Sequence, residues 1–81
     1  MSRHDKLVAR MRGIPANFTW PELVKVLSGF GYELLKGKGS RRKFVHKETK
    51  VVIIAHEPHP QKEIKAYLIE QILEKLGQEE L

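Results

Sequence analysis

Five consecutive apolar residues, Val51-Val52-Ile53-Ile54-Ala55, restrict the possible folds of this chain more than any other feature. All but Ala55 are β-branched, which suits a pleated strand and disfavours a helix. The run is far short of the roughly 20 apolar residues that cross a bilayer. Lys47-Glu48-Thr49 before it reads as a turn, and Glu57 to Gln61, with two prolines, reads as a loop. A strand of about 50–56 with no polar alternation implies a central position in a sheet, or an outer face covered by a partner. With 81 residues there is room for one core only.

The remaining elements follow from local signals. Residues 3–11 read as a short helix with Asp5 in its first turn and Leu7, Val8 and Met11 on one face. Gly13 and Pro15 stop it. Thr19 with Glu22 is a capping box, and Pro21 is tolerated in a first turn. Leu23, Val24, Val26 and Leu27 then form an apolar stripe, ended by Gly29 and Gly31 with Phe30 between them as a core residue. Tyr32 to Lys36 and Arg41 to His46 read as strands joined by the hairpin turn Gly37-Lys38-Gly39-Ser40. Leu68, Ile69, Ile72, Leu73 and Leu76 define the apolar face of a last helix near 65–76, with Gly77 at its expected end. The expected fold is α+β. It has a short N-terminal helix within an extension of 1–17, a domain of 18–77, and a frayed tail of 78–81. The domain holds three antiparallel strands with two helices on one sheet face.

Charge is polarised along this order. The chain carries 15 Lys+Arg against 10 Asp+Glu, a net +5. Lys36, Lys38, Arg41, Arg42, Lys43, Lys47 and Lys50 crowd the hairpin region, opposed there only by Glu48. From Glu57 onward acidic residues predominate. Such a basic segment points to a polyanionic partner; the plainer reading is a solvated hairpin with charge-protected edges. Cysteine is absent, which excludes a disulfide framework, a thiol nucleophile and a thiolate zinc site. No apolar leader opens the sequence, so neither a signal peptide nor membrane insertion is expected, and a cytoplasmic location is.

Histidines are the natural candidates for proton transfer near neutral pH. His4 lies on the first helix, where an exposed, uninvolved side chain is expected. His46 shares strand parity with Phe44 and should point toward the helix layer, where packed, hydrogen-bonded histidines are common. His56 and His59 flank Glu57-Pro58. The spacing hints at a metal pair, but Pro58 breaks the geometry and no third ligand stands out, so neither metal nor cofactor is expected. The Gly37–Ser40 turn lacks the length and the following helix of a nucleotide-binding loop, yet beside Arg41 and Arg42 it could hold one phosphate. Trp20 is expected to pack at a helix start, with base stacking as the alternative.

Taken in order, several segments resemble the HicA family of bacterial toxin endoribonucleases. These are Leu23-Val24-Lys25-Val26-Leu27, Gly29-Phe30-Gly31-Tyr32, and Gly39-Ser40 opening a strand that holds Phe44. The Val/Ile strand, Pro58-His59-Pro60, Lys62-Glu63-Ile64 and a last helix ending in Leu76-Gly77 complete the series. The resemblance implies a double-stranded-RNA-binding-like domain that cleaves mRNA without a metal and is neutralised by a HicB-type antitoxin. The family's catalytic histidine follows the Gly-Ser directly or one residue later. Here Arg41 and Arg42 occupy those positions, and arginine cannot act as a base. Arg41 is then expected to stabilise phosphate charge, with His59 as first candidate for proton transfer and His46 and His56 behind it. Lys38, Ser40, Arg41, Arg42, Lys43 and Lys47 are the expected RNA contacts. Two alternatives stand beside the toxin ribonuclease: a HicA-like module that binds RNA without cutting it, and an interaction protein whose basic face meets an acidic partner.

Overall fold

A computed structural model describes residues 3–58 and 62–80, the last three by backbone alone. The elements are α1 (Arg3–Arg12), α2 (Trp20–Gly29), β1 (Tyr32–Lys36), β2 (Arg41–His46), β3 (Val52–His56) and α3 (Ala66–Glu80). The three strands form one antiparallel sheet in the order β1-β2-β3. This is the α+β arrangement expected from the sequence.

The capping box at the start of α2 forms as its residue types require. The Thr19 backbone N–H donates to Glu22 Oε1 at 3.0 Å, and the Glu22 N–H donates back to Thr19 Oγ1 at 3.4 Å. Glu22 also pairs with Arg10, which ties α1 to α2. Burial pushes the Glu22 carboxyl up, but the Thr19 hydrogen bonds and the Arg10 guanidinium outweigh it and hold the group below the usual carboxylate range. His4 makes a second tie. Its Nε2 donates to Val26 O at 3.0 Å, and its ring stands edge-on to Phe30. His4 is therefore a packing residue of the α1–α2 seam, not the exposed side chain expected. A β-carbon at Gly29 would lie 2.2 Å from the His4 ring, so the seam closes only over glycine.

One face of the sheet carries the core. Tyr32, Phe44, Ile53 and Ala55 point inward and join Trp20, Leu23, Val26 and Leu27 from α2 and Ile69, Ile72 and Leu76 from α3. Burying Phe44 alone is worth about 1.5–3 kcal/mol. Trp20 lies 5.6 Å from the Phe44 ring and is buried, so it packs and offers no free face to a base. Phe18, which carried no periodic signal, is also fully buried. It is held where residues 18–20 pair with 62–64: Trp20 N–H bonds Lys62 O at 2.8 Å and Ile64 N–H bonds Phe18 O at 2.9 Å.

Two expectations are corrected. The apolar run does not sit centrally: β3 is an edge strand that starts at Val52, and its residues alternate between core and solvent. Val52 and Ile54 stand on the outer face with Leu35, all at least a third exposed. Secondly, Gly77 does not end the last helix, and residues 78–80 are not a separate tail, because α3 continues to Glu80. A glycine inside a helix costs only about 1 kcal/mol relative to alanine, too little to end α3 by itself.

Candidate nucleic-acid interface

Register in the β2–β3 ladder is set at its closed end by His46. The ring Nδ1 accepts the backbone N–H groups of Glu48 and Thr49, both at 3.1 Å, and Nε2 donates to Phe30 O at 3.0 Å. Because an N–H can only donate, these bonds fix the neutral tautomer with its proton on Nε2. The turn it grips includes Lys50 at φ 65, a left-handed conformation that a lysine adopts at a cost. Gly31, at φ 96, lets the backbone pass the ring; a β-carbon there would lie 3.1 Å from His46 Nε2.

This turn makes Val45 oppose Val52, and counting along the ladder makes Arg41 oppose His56. Arg41, Lys43, Ile54 and His56 all fall on the parity opposite the buried Phe44, Ile53 and Ala55, and all are exposed. The hairpin end of the outer face thus carries a cation and an imidazole side by side. Ser40 completes the group: its Oγ lies 3.5 Å from His56 Nδ1, and its carbonyl accepts the Glu57 N–H at 2.8 Å. The Gly37–Ser40 turn closes through Gly37 N–H to Arg41 O and Arg41 N–H to Lys38 O, with Gly39 at φ 59. A shallow groove of about 450 Å³ beside it is lined by Leu35, Lys36, Gly37, Lys38, Arg41 and Lys43.

The residues expected to contact RNA are therefore not one cluster. Lys38, Ser40, Arg41 and Lys43 come together at the hairpin end. Arg42 lies on the opposite parity, where its Nε donates to Glu57 Oε1 at 3.1 Å and its Nη1 donates to Gly39 O and Arg41 O. It holds the turn from behind. Lys47 follows the far end of β2, which at strand spacing is about 20 Å from Arg41. His46 faces the helix layer with both ring nitrogens bonded to backbone, while His59 lies outside the described residues. The pairing of His56 with Arg41 carried no signal in the sequence, because it depends on how many residues the 47–51 turn consumes.

The geometry defines a small α+β domain with a cationic, partly apolar sheet face and an imidazole at its edge. A family model described as the HicA toxin of bacterial toxin–antitoxin systems matches residues 20–78, and the chain belongs to that family. The match takes in α2, the sheet and nearly all of α3; α1 precedes it. Membership implies an antitoxin partner. No curated protein and no solved structure matches the chain. Among the described residues, no helix is long and apolar enough to cross a membrane.

Proposed function

We propose that this chain is an mRNA-cleaving toxin that acts in the cytoplasm without a metal and is neutralised by a HicB-type antitoxin. The observation that carries the reading is the convergence of Lys38, Arg41 and Lys43 along one exposed groove. Flexible cations spaced along a strand follow a phosphate backbone without reading its bases, as single-strand binding requires. Arg41 suits a phosphate undergoing substitution, since its planar fork can donate two parallel bonds to the oxygens that gain charge.

Cleavage by this route needs no group beyond the RNA itself as nucleophile. The 2′-oxygen forms a bond to the adjacent phosphorus, the bond from phosphorus to the 5′-oxygen breaks, one proton leaves the 2′-hydroxyl and another reaches the 5′-oxygen. The protein supplies charge stabilisation, orientation and a site for the departing proton.

The antitoxin reading rests on the same face. Leu35, Val52 and Ile54 are exposed beside Arg41, Lys43 and His56, so the surface offers apolar contact and positive charge together. An acidic partner with an apolar centre would associate rapidly and exclude phosphate at once. Induced expression in a bacterium tests the whole reading: growth should stop as mRNA fragments, and co-expressed antitoxin should restore both. Continued growth with intact mRNA would contradict it.

A further inference from the structure

The surroundings of the ring nitrogens separate the described histidines. His4 is wedged in the α1–α2 seam on the helix side of the sheet, bonded to Val26 O. His46 spends both nitrogens on backbone groups of Phe30, Glu48 and Thr49. His56 alone among them stands on the outer face, exposed, opposite Arg41. Its Nδ1 is beside Ser40 Oγ at 3.5 Å, and its Nε2 has no protein partner among the described residues.

We propose that His56 is the proton acceptor of the cleavage reaction, with Arg41 holding the phosphate and Ser40 orienting the ring. This rests on the ribonuclease reading above. With the proton on Nδ1 donated toward Ser40 Oγ, the Nε2 lone pair is free to face a bound nucleotide. The phosphate sits on Arg41, one strand away. Cross-strand neighbours stand about 4.5–5.5 Å apart at Cβ, a spacing that lets one nucleotide touch both side chains. His56 Nε2 then takes the 2′-hydroxyl proton as the 2′-oxygen bonds to phosphorus. The 5′-oxygen leaves with a proton from water, and the imidazolium returns its own proton to solvent. Arg41 neutralises the charge that accumulates on the non-bridging oxygens.

Among the described residues, Arg41 faces the ring from β2, and Glu57 follows it in sequence but is turned to Arg42. Ser40 acts through the ring and is a positioning residue: its loss should lower the rate without moving RNA affinity.

The test compares the full-length parent with His56→Ala, His56→Gln and His59→Ala. Cleavage of an end-labelled RNA is measured in EDTA, and affinity is measured for the same RNA carrying 2′-O-methyl groups, which cannot be cut. His56→Ala and His56→Gln should each lose about 10²–10⁴-fold in rate while binding within a factor of about 3 of the parent. His56→Ala should regain activity with added imidazole, which should leave the parent rate unchanged. A His56→Ala protein that cleaves like the parent overturns the assignment and leaves the ribonuclease reading standing. So does loss of cleavage on His59→Ala with His56→Ala active. A parent that leaves RNA intact overturns both.

Discussion

Arg41 and His56 face each other across the β2–β3 ladder, both on the exposed side of the sheet, with the Ser40 hydroxyl beside the imidazole. Strand side chains alternate, so a shift of one residue in either strand would bury one of the pair and expose core residues in exchange. What prevents that shift lies at the other end of β2, where His46 clamps the 47–49 turn and the Phe30 carbonyl.

The two histidines should therefore separate cleanly in denaturation. His46→Ala strips the turn of its acceptor and leaves backbone groups unpaired, a loss of about 2 kcal/mol. His56→Ala, on an exposed face, should stay within about 0.5 kcal/mol of the parent. Urea unfolding with a common slope measures both. Equal stabilities would mean that His46 does not clamp the turn.

Arg41 and Lys43 sit two residues apart on the outer face. Their joint replacement by Ala should weaken binding to RNA of any sequence. It should also flatten the plot of log affinity against log salt by about 1.4, the contribution of two lost phosphate contacts on a single strand. Lys47→Ala, from the far end of β2, should change affinity less than Lys38→Ala does. Titrations at several salt concentrations decide both points.

Much of this was readable from the residues. The capping box, the Gly37–Ser40 and Lys47–Thr49 turns and the stripe ending at Leu76 place α2, the strands and α3 within a few residues, because each is a local signal. The misplacements concern what local signals do not encode. Continuous apolarity in Val51–Ala55 implies a central strand or a covered outer face; the first fails because strand order is decided by which neighbour pairs, and among the described strands β3 pairs with β2 alone. Gly77 reads as a helix end, but α3 runs on to Glu80, since one glycine costs a helix only about 1 kcal/mol. At the site, Arg41 and the cations of the hairpin were legible as a charge cluster. The orientation of Arg42 and the pairing of His56 with Arg41 were not, since both follow from register.

Acid should loosen the attachment of α1. Glu22 is held below its ordinary value in the folded chain, so its bonds to Thr19 and Arg10 stabilise the fold at pH above the unfolded carboxyl value, near 4.5. That stabilisation declines as pH falls below this value and through the lower folded one. Glu22→Gln should remove it, giving a protein less stable at neutral pH and a flatter stability curve through the acid range. Thermal melts of both proteins from pH 3 to 7 check the sign; parallel curves would contradict it.

Ile54 is 48% exposed at the middle of the outer face. If the antitoxin covers this face, Ile54→Lys should bury a new charge at the interface and reduce co-purification with the cognate antitoxin at least about tenfold. The fold should survive, since the side chain already meets solvent. Undiminished co-purification would place the antitoxin elsewhere.

The most direct test of a metal-free cleavage site at the hairpin end is the chemistry of the product ends. The purified protein is incubated with an end-labelled single-stranded RNA in EDTA, and the termini are identified by mass. The expected products are paired fragments ending in a 2′,3′-cyclic phosphate and a 5′-hydroxyl, the result of attack by the 2′-oxygen. RNA that stays intact, or fragments that carry 5′-phosphates, would contradict it.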